Sequence, residues 1–152
     1  MNLRRLPVLW LLAALAGCAT TKIPGTEIEE TSDSRAIIDV MTKYNAALDA
    51  QDAAGILALV DTSFYDDAGT LTPEDDLDYA GLKNKLPQML QKLQDVRARI
   101  TVKTMRIDGD RAAVVYTYAV TYRIGQKTQT DTDIKQMELK RVNGVWKIVK
   151  GL

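Results

Sequence analysis

With no histidine and one cysteine among its 152 residues, the chain has few side chains able to do chemistry at neutral pH. An imidazole base, a nitrogen ligand for zinc or copper and an internal disulfide are all excluded. Acid–base work would fall to carboxylates, tyrosine, lysine or water. Tyr116, Tyr118 and Tyr122 form a ladder that can line a ligand pocket, each with a large apolar body and one polar tip; the same ladder also suits cross-strand packing. Tyr65 and Trp146 join them as pocket candidates. The acids Asp61, Asp66, Asp67, Glu74, Asp75, Asp76 and Asp78 offer oxygens to a hard cation, but without the alternating order and closing glutamate of a calcium loop. They read as a solvated loop with helix-start charges, and no metal is expected. Lys83, Lys85, Lys92, Arg97 and Arg99, interleaved with acids, read as a solvated face.

The 20 basic and 20 acidic residues balance, so no nucleic-acid partner is expected. The N-terminus says more. Arg4 and Arg5 precede Leu6–Ala16, an apolar run of 11 residues, too short for the ~20 of a membrane span and suited to an export signal. Leu15-Ala16-Gly17-Cys18 ends that run, and at every position it resembles the lipobox of bacterial lipoproteins. The resemblance implies acylation of Cys18, cleavage before it, and a membrane partner reached through the lipid. Ala19, where an aspartate would favour inner-membrane retention, implies a periplasm-facing protein of the cell envelope, in the outer rather than the inner membrane. Residues 1–17 are thus expected to be a signal peptide, and 18–34 a lipidated cysteine with a flexible linker poor in apolar residues. The alternative for the linker is an ordered arm using Ile23 and Ile28.

From Arg35 to Leu152 the length fits one domain. Ile37, Ile38, Met41, Tyr44 and Leu48 recur at helical spacing behind the cap candidates Thr31, Ser32 and Asp33. Asp52 can cap a second, shorter helix through Ile56 and Val60, and Ser63–Asp66 is a brief strand. Thr72-Pro73-Glu74-Asp75 has the form of a helix start, opening a third helical region to about Gln94 that Pro87 should kink or divide. The period then falls to two. Strands are expected over Arg97–Ile107 and Arg111–Ile124, then from Gln126 to about Val142, then over Val145–Val149, with turns at Asp108-Gly109-Asp110, Gly125-Gln126 and Asn143-Gly144. In the second of these strands Ala112, Val114, Tyr116, Tyr118, Val120, Tyr122 and Ile124 share one face. Helices followed by a strand meander make an α+β order with an antiparallel sheet.

The stretch Tyr44-Asn45-Ala46-Ala47-Leu48-Asp49-Ala50-Gln51-Asp52, the Asp-Gly-Asp turn and the closing Asn-Gly-Val-Trp-Lys-Ile together resemble the NTF2-like (nuclear transport factor 2-like, SnoaL-like) superfamily. That resemblance implies a cone in which N-terminal helices pack in a strongly bent antiparallel sheet of four long strands plus a short one. It implies no single function, since the superfamily spans enzymes, binding modules and assembly domains. In ketosteroid isomerase, one of its enzymes, a tyrosine and a protonated aspartic acid bind the oxyanion while a second aspartate moves the proton. By resemblance Tyr44 falls at the tyrosine position and Asp66 or Asp67 near the catalytic aspartate. Around the third position stand Gln136 and Met137.

Three functional expectations follow. The first is a non-enzymatic, lipid-anchored envelope domain that binds a small apolar ligand or a partner protein and needs no cofactor. The second is an isomerase- or hydrolyase-like enzyme with Asp66 or Asp67 as base and Tyr44 as oxyanion donor. The third is a self-associating module, a homodimer through the sheet face of Ala113, Val115, Thr117, Ala119 and Thr121.

Overall fold

A computed structural model describes residues 21–70 and 73–152. The Leu15–Cys18 motif, Ala19, Thr20 and the expected cap Thr72 lie outside the described residues. Among the described residues no helix is long and apolar enough to cross a membrane.

Residues 21–30, read from composition as linker, fold back on themselves. Gly25 turns the chain at φ +78°, a conformation in which an added Cβ is unfavourable. The Ile23 N–H donates to the Ile28 carbonyl at 2.9 Å, and the Glu30 N–H to the Thr21 carbonyl at 2.7 Å. Ile28 is buried, and the hydroxyl of Ser34, also buried, donates to the Glu29 carbonyl at 2.8 Å. The described part of the expected linker is therefore the ordered-arm alternative: one buried isoleucine and one buried hydroxyl outweigh a polar composition.

The first helix, α1 (Ser32–Asp49), begins five residues before the first member of its apolar repeat, Ile37, because Thr31, one of the expected caps, closes a capping box with Ser34. Its buried positions Ile37, Val40, Met41, Tyr44 and Ala47 follow the helical period. Helix α2 (Ala53–Leu59) is capped by Asp52, whose carboxylate accepts from the Gly55 N–H at 2.9 Å. Between them Gln51 sits at φ 54° and donates its side-chain amide to the Leu90 and Leu93 carbonyls at 2.7 and 2.8 Å. The Leu90 carbonyl lies in the last turn of a later helix and also accepts from the Leu93 N–H at 3.2 Å; Leu93 follows that helix, so Gln51 fastens the chain where the helix ends.

The third helical region differs from expectation. Strand β1 (Tyr65–Asp66) pairs with an unforeseen strand β2 (Leu77–Asp78), and Pro73–Asp75 between them is one 3-10 turn. The third helix, α3 (Tyr79–Gln91), starts only where Asp78 accepts from the Gly81 N–H at 2.7 Å. Pro87 lies inside this helix and does not divide it. Its missing donor would have faced the carbonyl of exposed Lys83, where water can substitute.

The four long strands β3 (Gln94–Asp108), β4 (Arg111–Ile124), β5 (Lys127–Val142) and β6 (Val145–Lys150) form one antiparallel sheet in that order. Asn143 and Gly144 both adopt positive φ, 50° and 81°, the turn that matches strand twist. Register shifts at Gln94/Arg97, Val102/Thr104 and Glu138/Leu139 add bulges, which bend strands. The inner row of β4 alternates in burial as expected from Ala112 to Tyr116, with Val114 and Tyr116 almost wholly enclosed beneath the helices; from Thr117 to Arg123 both faces are half-buried, and Ile124 is exposed. Strand β3 is a sheet edge, yet its outward N–H groups at Ala98 and Ile100 are covered. Asp49 and Asn45 of α1 accept them at 2.9 and 2.8 Å.

At the far end Arg141 ties three elements together. It pairs with Asp33 at 2.7 Å, lies 3.1 Å from the Asp110 carboxylate without hydrogen-bond alignment at Nε, and stacks 4.7 Å over the Trp146 ring. Trp146 is buried and donates its indole N–H to Asp33 at 3.3 Å. The Arg141 hydrogen bond holds the Asp33 carboxyl below its ordinary range. A depressed carboxyl stabilises the fold above its unfolded pKa and ceases to do so as pH falls through the folded value. Asp33→Asn should therefore lower stability at pH 7, and urea titrations should find the gap to the parent closing between about pH 5 and about pH 2.

Candidate functional site

The inner face of the sheet and α1 enclose a cavity of about 150 Å³. Tyr44 and Leu48 come to it from one turn of α1, Tyr116, Tyr118 and Val120 from the inner row of β4, and Ile100 from β3. Lys135 of β5 and Leu152 close the remaining side. Tyr44 is 6% exposed. Its hydroxyl has no hydrogen-bond partner among the described residues. Of the described side-chain nitrogens and oxygens sealed from solvent, only Arg141 Nε lacks a partner, so the Tyr44 hydroxyl is one the cavity reaches. Burial raises the Tyr44 pKa far above the ordinary phenol value, with Tyr116 and Tyr118 adding to the shift. It is thus a neutral donor across the physiological range.

A second cavity, about 390 Å³, adjoins the first across Lys135 and Leu152. Asp66, Asp75 and Lys150 supply its polar groups, Phe64 and Leu77 its apolar ones. The partition between the two is the chain segment Gly151–Leu152, held at three points. The Gly151 N–H donates to Asp66 Oδ2 at 2.9 Å, the Tyr116 hydroxyl to the Gly151 carbonyl at 3.1 Å, and Lys135 Nζ to the Leu152 carbonyl at 3.1 Å. Gly151 sits at φ +84°, and a Cβ there would lie 2.0 Å from the Gln136 carbonyl oxygen. Burial of Tyr116 beside Tyr118 and Asp66 pushes its pKa up to about 12.

The residues expected to work as an enzyme do not converge. Tyr44 opens into the small cavity, Asp66 into the larger one, and Asp67 lines neither. Both aspartates are engaged locally. Asp66 Oδ1 accepts from Ala68 N–H at 3.0 Å, while Asp67 Oδ1 accepts from Gly69 N–H at 3.0 Å and Lys150 Nζ at 2.8 Å. The Lys150 hydrogen bond moves the Asp67 pKa down, away from where a general base is tuned. At the third position Gln136 borders the larger cavity through β5, and Met137 is fully buried.

Of the pocket candidates, Tyr44, Tyr116 and Tyr118 meet at one cavity. Tyr122 lies toward the β4–β5 turn, donating to Asp131 at 2.8 Å, and Trp146 is in the Arg141 cluster. Tyr65 is half exposed and donates to Asp76. The loop acids are likewise spent on neighbours: Asp61 accepts from Ser63, and Asp75 from the Thr70 hydroxyl. Among the described residues no three of His, Cys, Asp and Glu group as metal ligands. Lys135, Ile100 and Leu152 were not foreseen at the site. Lys135 had a usable signal, since counting back by twos from Met137 and Leu139 places it on the inner face, opposite Tyr116.

Comparison with known proteins places this arrangement. The profile of the SnoaL-like domain matches residues 29–150. No curated protein matches the chain. Among solved structures, a conserved protein from Planctomyces limnophilus superposes with a TM-score of 0.68 at 16% identity, over 78% of this chain and 92% of its own. A candidate dehydratase of the NTF2-like family from Streptomyces avermitilis gives 0.66 at 12% identity, over 78% and 93%. A candidate scytalone dehydratase from Novosphingobium aromaticivorans gives 0.64 at 16%, over 78% and 80%. At these identities the likeness is one of fold, and the fold is NTF2-like.

The Gly151 anchorage yields a test. Gly151→Ala should expel the strap from between the cavities and cost about 1–3 kcal/mol in urea unfolding, the range for a strained backbone position without room to relax.

Proposed function

The chain belongs to the family of SnoaL-like domains, and from that premise we propose that it is a lipid-anchored, non-enzymatic protein of the bacterial cell envelope that binds a small ligand in its cone. One observation carries the ligand: the neutral hydroxyl of Tyr44, a residue 6% exposed, has no partner among the described residues and opens to a cavity lined by aromatic and aliphatic side chains and by Lys135. The hydroxyl stays reachable from the cavity, so a ligand supplying an acceptor oxygen there can take the place of water on it. A volume near 150 Å³ takes a molecule about the size of one ring. The ligand class is therefore a small, mostly apolar molecule with a single carbonyl, ether or hydroxyl oxygen.

Against catalysis stands the distribution of the acids: the carboxylate that would move a proton lies in the other cavity, already bonded to Gly151 and Ala68. The envelope location rests on Leu15-Ala16-Gly17-Cys18 and on the charge and length of the run before it. Ala19 supports the outer membrane as the destination.

Two experiments test this. Titration of the protein with cyclohexanone, followed by NMR, should shift resonances of Tyr44, Tyr116 and Tyr118, and Tyr44→Phe should weaken binding roughly 3- to 10-fold, the value of one neutral hydrogen bond. If cyclohexanone and single-ring phenols leave all three tyrosines unmoved, the cavity is not a ligand site. For the anchor, the Cys18→Ser chain should carry no acyl mass and leave the membrane fraction. Acylation persisting in that variant would refute the assignment.

A further inference from the structure

We infer that the outer edge of the sheet is a docking surface for an anionic phospholipid bilayer. Residues 96–107 read VRARITVKTMRI, four cations with no acid. In isolation the stretch is merely an amphipathic strand; the register gives it direction. Ala98, Ile100, Val102, Met105 and Ile107 pair with the inner row of β4, whereas Arg97, Arg99 and Arg106 pair with Thr121, Ala119 and Ala113 on the outer face. Lys103 sits exposed in the bulge between Val102 and Thr104. These cations run along an edge strand for about 30 Å. Arg99, Lys103 and Arg106 make no ion pair among the described residues, and Arg97 reaches only its neighbour's carbonyl, Val96, at 3.3 Å. Beside them the outer row of β4 carries no charge from Ala113 to Thr121, and Ile134 of β5, opposite Thr117, is 65% exposed. A row of cations outside any ion pair among the described residues, beside an uncharged row of β4 and an exposed isoleucine, complements phosphate headgroups over an acyl layer; Asp108 and Glu138 border only its Arg106 end.

The N-terminal arm lies along the same strand. Ile28 and Glu29 border one groove with Met105 and Ile107, on the inner side of β3, across the strand from the cations. Thr21 is already bonded to Glu30. From Cys18 to Thr21 the chain spans at most about 11 Å, close to one Debye length at physiological salt. An acyl group on Cys18 would therefore hold this edge within reach of the headgroups. That second argument rests on the anchoring reading; the charge row does not.

The full chain is reconstituted in vesicles of phosphatidylglycerol or of phosphatidylcholine and treated with an amine-acetylating reagent, and the digest is read by mass spectrometry. Lys103 should be labelled about tenfold less in phosphatidylglycerol than in phosphatidylcholine, with labelling restored by 0.5 M salt, while exposed Lys83 and Lys85 of α3 stay equal in both. The Arg99→Gln/Arg106→Gln chain, checked for unchanged circular dichroism, should lose most of that protection, since each cation near an anionic surface contributes about fivefold to partitioning. The Cys18 peptide in the same digest reports acylation independently. Protection of Lys103 without an acyl mass would refute the anchor and leave the docking surface standing. Equal Lys103 labelling in both vesicles overturns the docking surface, as does lipid-independent protection that grows with protein concentration, which would assign the face to a second copy of the chain.

Discussion

The structure depends on how one helix meets one strand edge. Helix α1 offers Ile37, Met41 and Tyr44 to the inner face of the sheet and, from the same turns, Asn45 and Asp49 to the bare N–H groups of β3. Burying the first set without satisfying the second would leave an open edge under a helix, with donors removed from water and unpaired. Because both sets lie on one face, docking the helix settles the register of its side chains against the sheet. That register puts Tyr44 over Tyr116 and Tyr118 and leaves a small void between them.

The other end of the cone is shaped by a different device. Gly151–Leu152 is stitched to Asp66, Tyr116 and Lys135, three residues far apart in sequence, and it stands where one larger cavity would otherwise open. The acids nearest the expected catalytic position are consumed in holding that strap and the adjoining loop. The cavity left behind sets a neutral donor, Tyr44, among aromatic and aliphatic side chains and Lys135. The same economy of polar groups is absent outside the sheet, where Arg97, Arg99 and Arg106 of β3 make no ion pair among the described residues.

Much of the fold was legible because it is written in local patterns. Strand β4 begins and ends where its alternation does, Asn143-Gly144 makes its turn, and Asp52 caps its helix, each being a property of a few adjacent residues. The misses share a cause. The arm over 21–30 is held by Ile28 and Ser34 against the helix start, and β2 exists only because Leu77 and Asp78 lie beside Asp66 and Tyr65. Neither has a periodic signal of its own. Thr72-Pro73-Glu74-Asp75 carries every mark of a helix start, yet the β1–β2 pairing ends it after one 3-10 turn, so a tertiary contact outweighs local propensity.

The candidate site divides along the same line. From residue types alone came the absence of imidazole chemistry and of an internal disulfide, the α+β order and the tyrosine row of β4, since each depends on composition or on spacing within one element. Which tyrosines share a cavity, that Asp66 and Tyr44 face different ones, and that Arg97, Arg99 and Arg106 of β3 share the outer face were decided by strand register and by what packs on the edge. Those are long-range pairings, and a side chain learns its partner only when the chain has closed on itself.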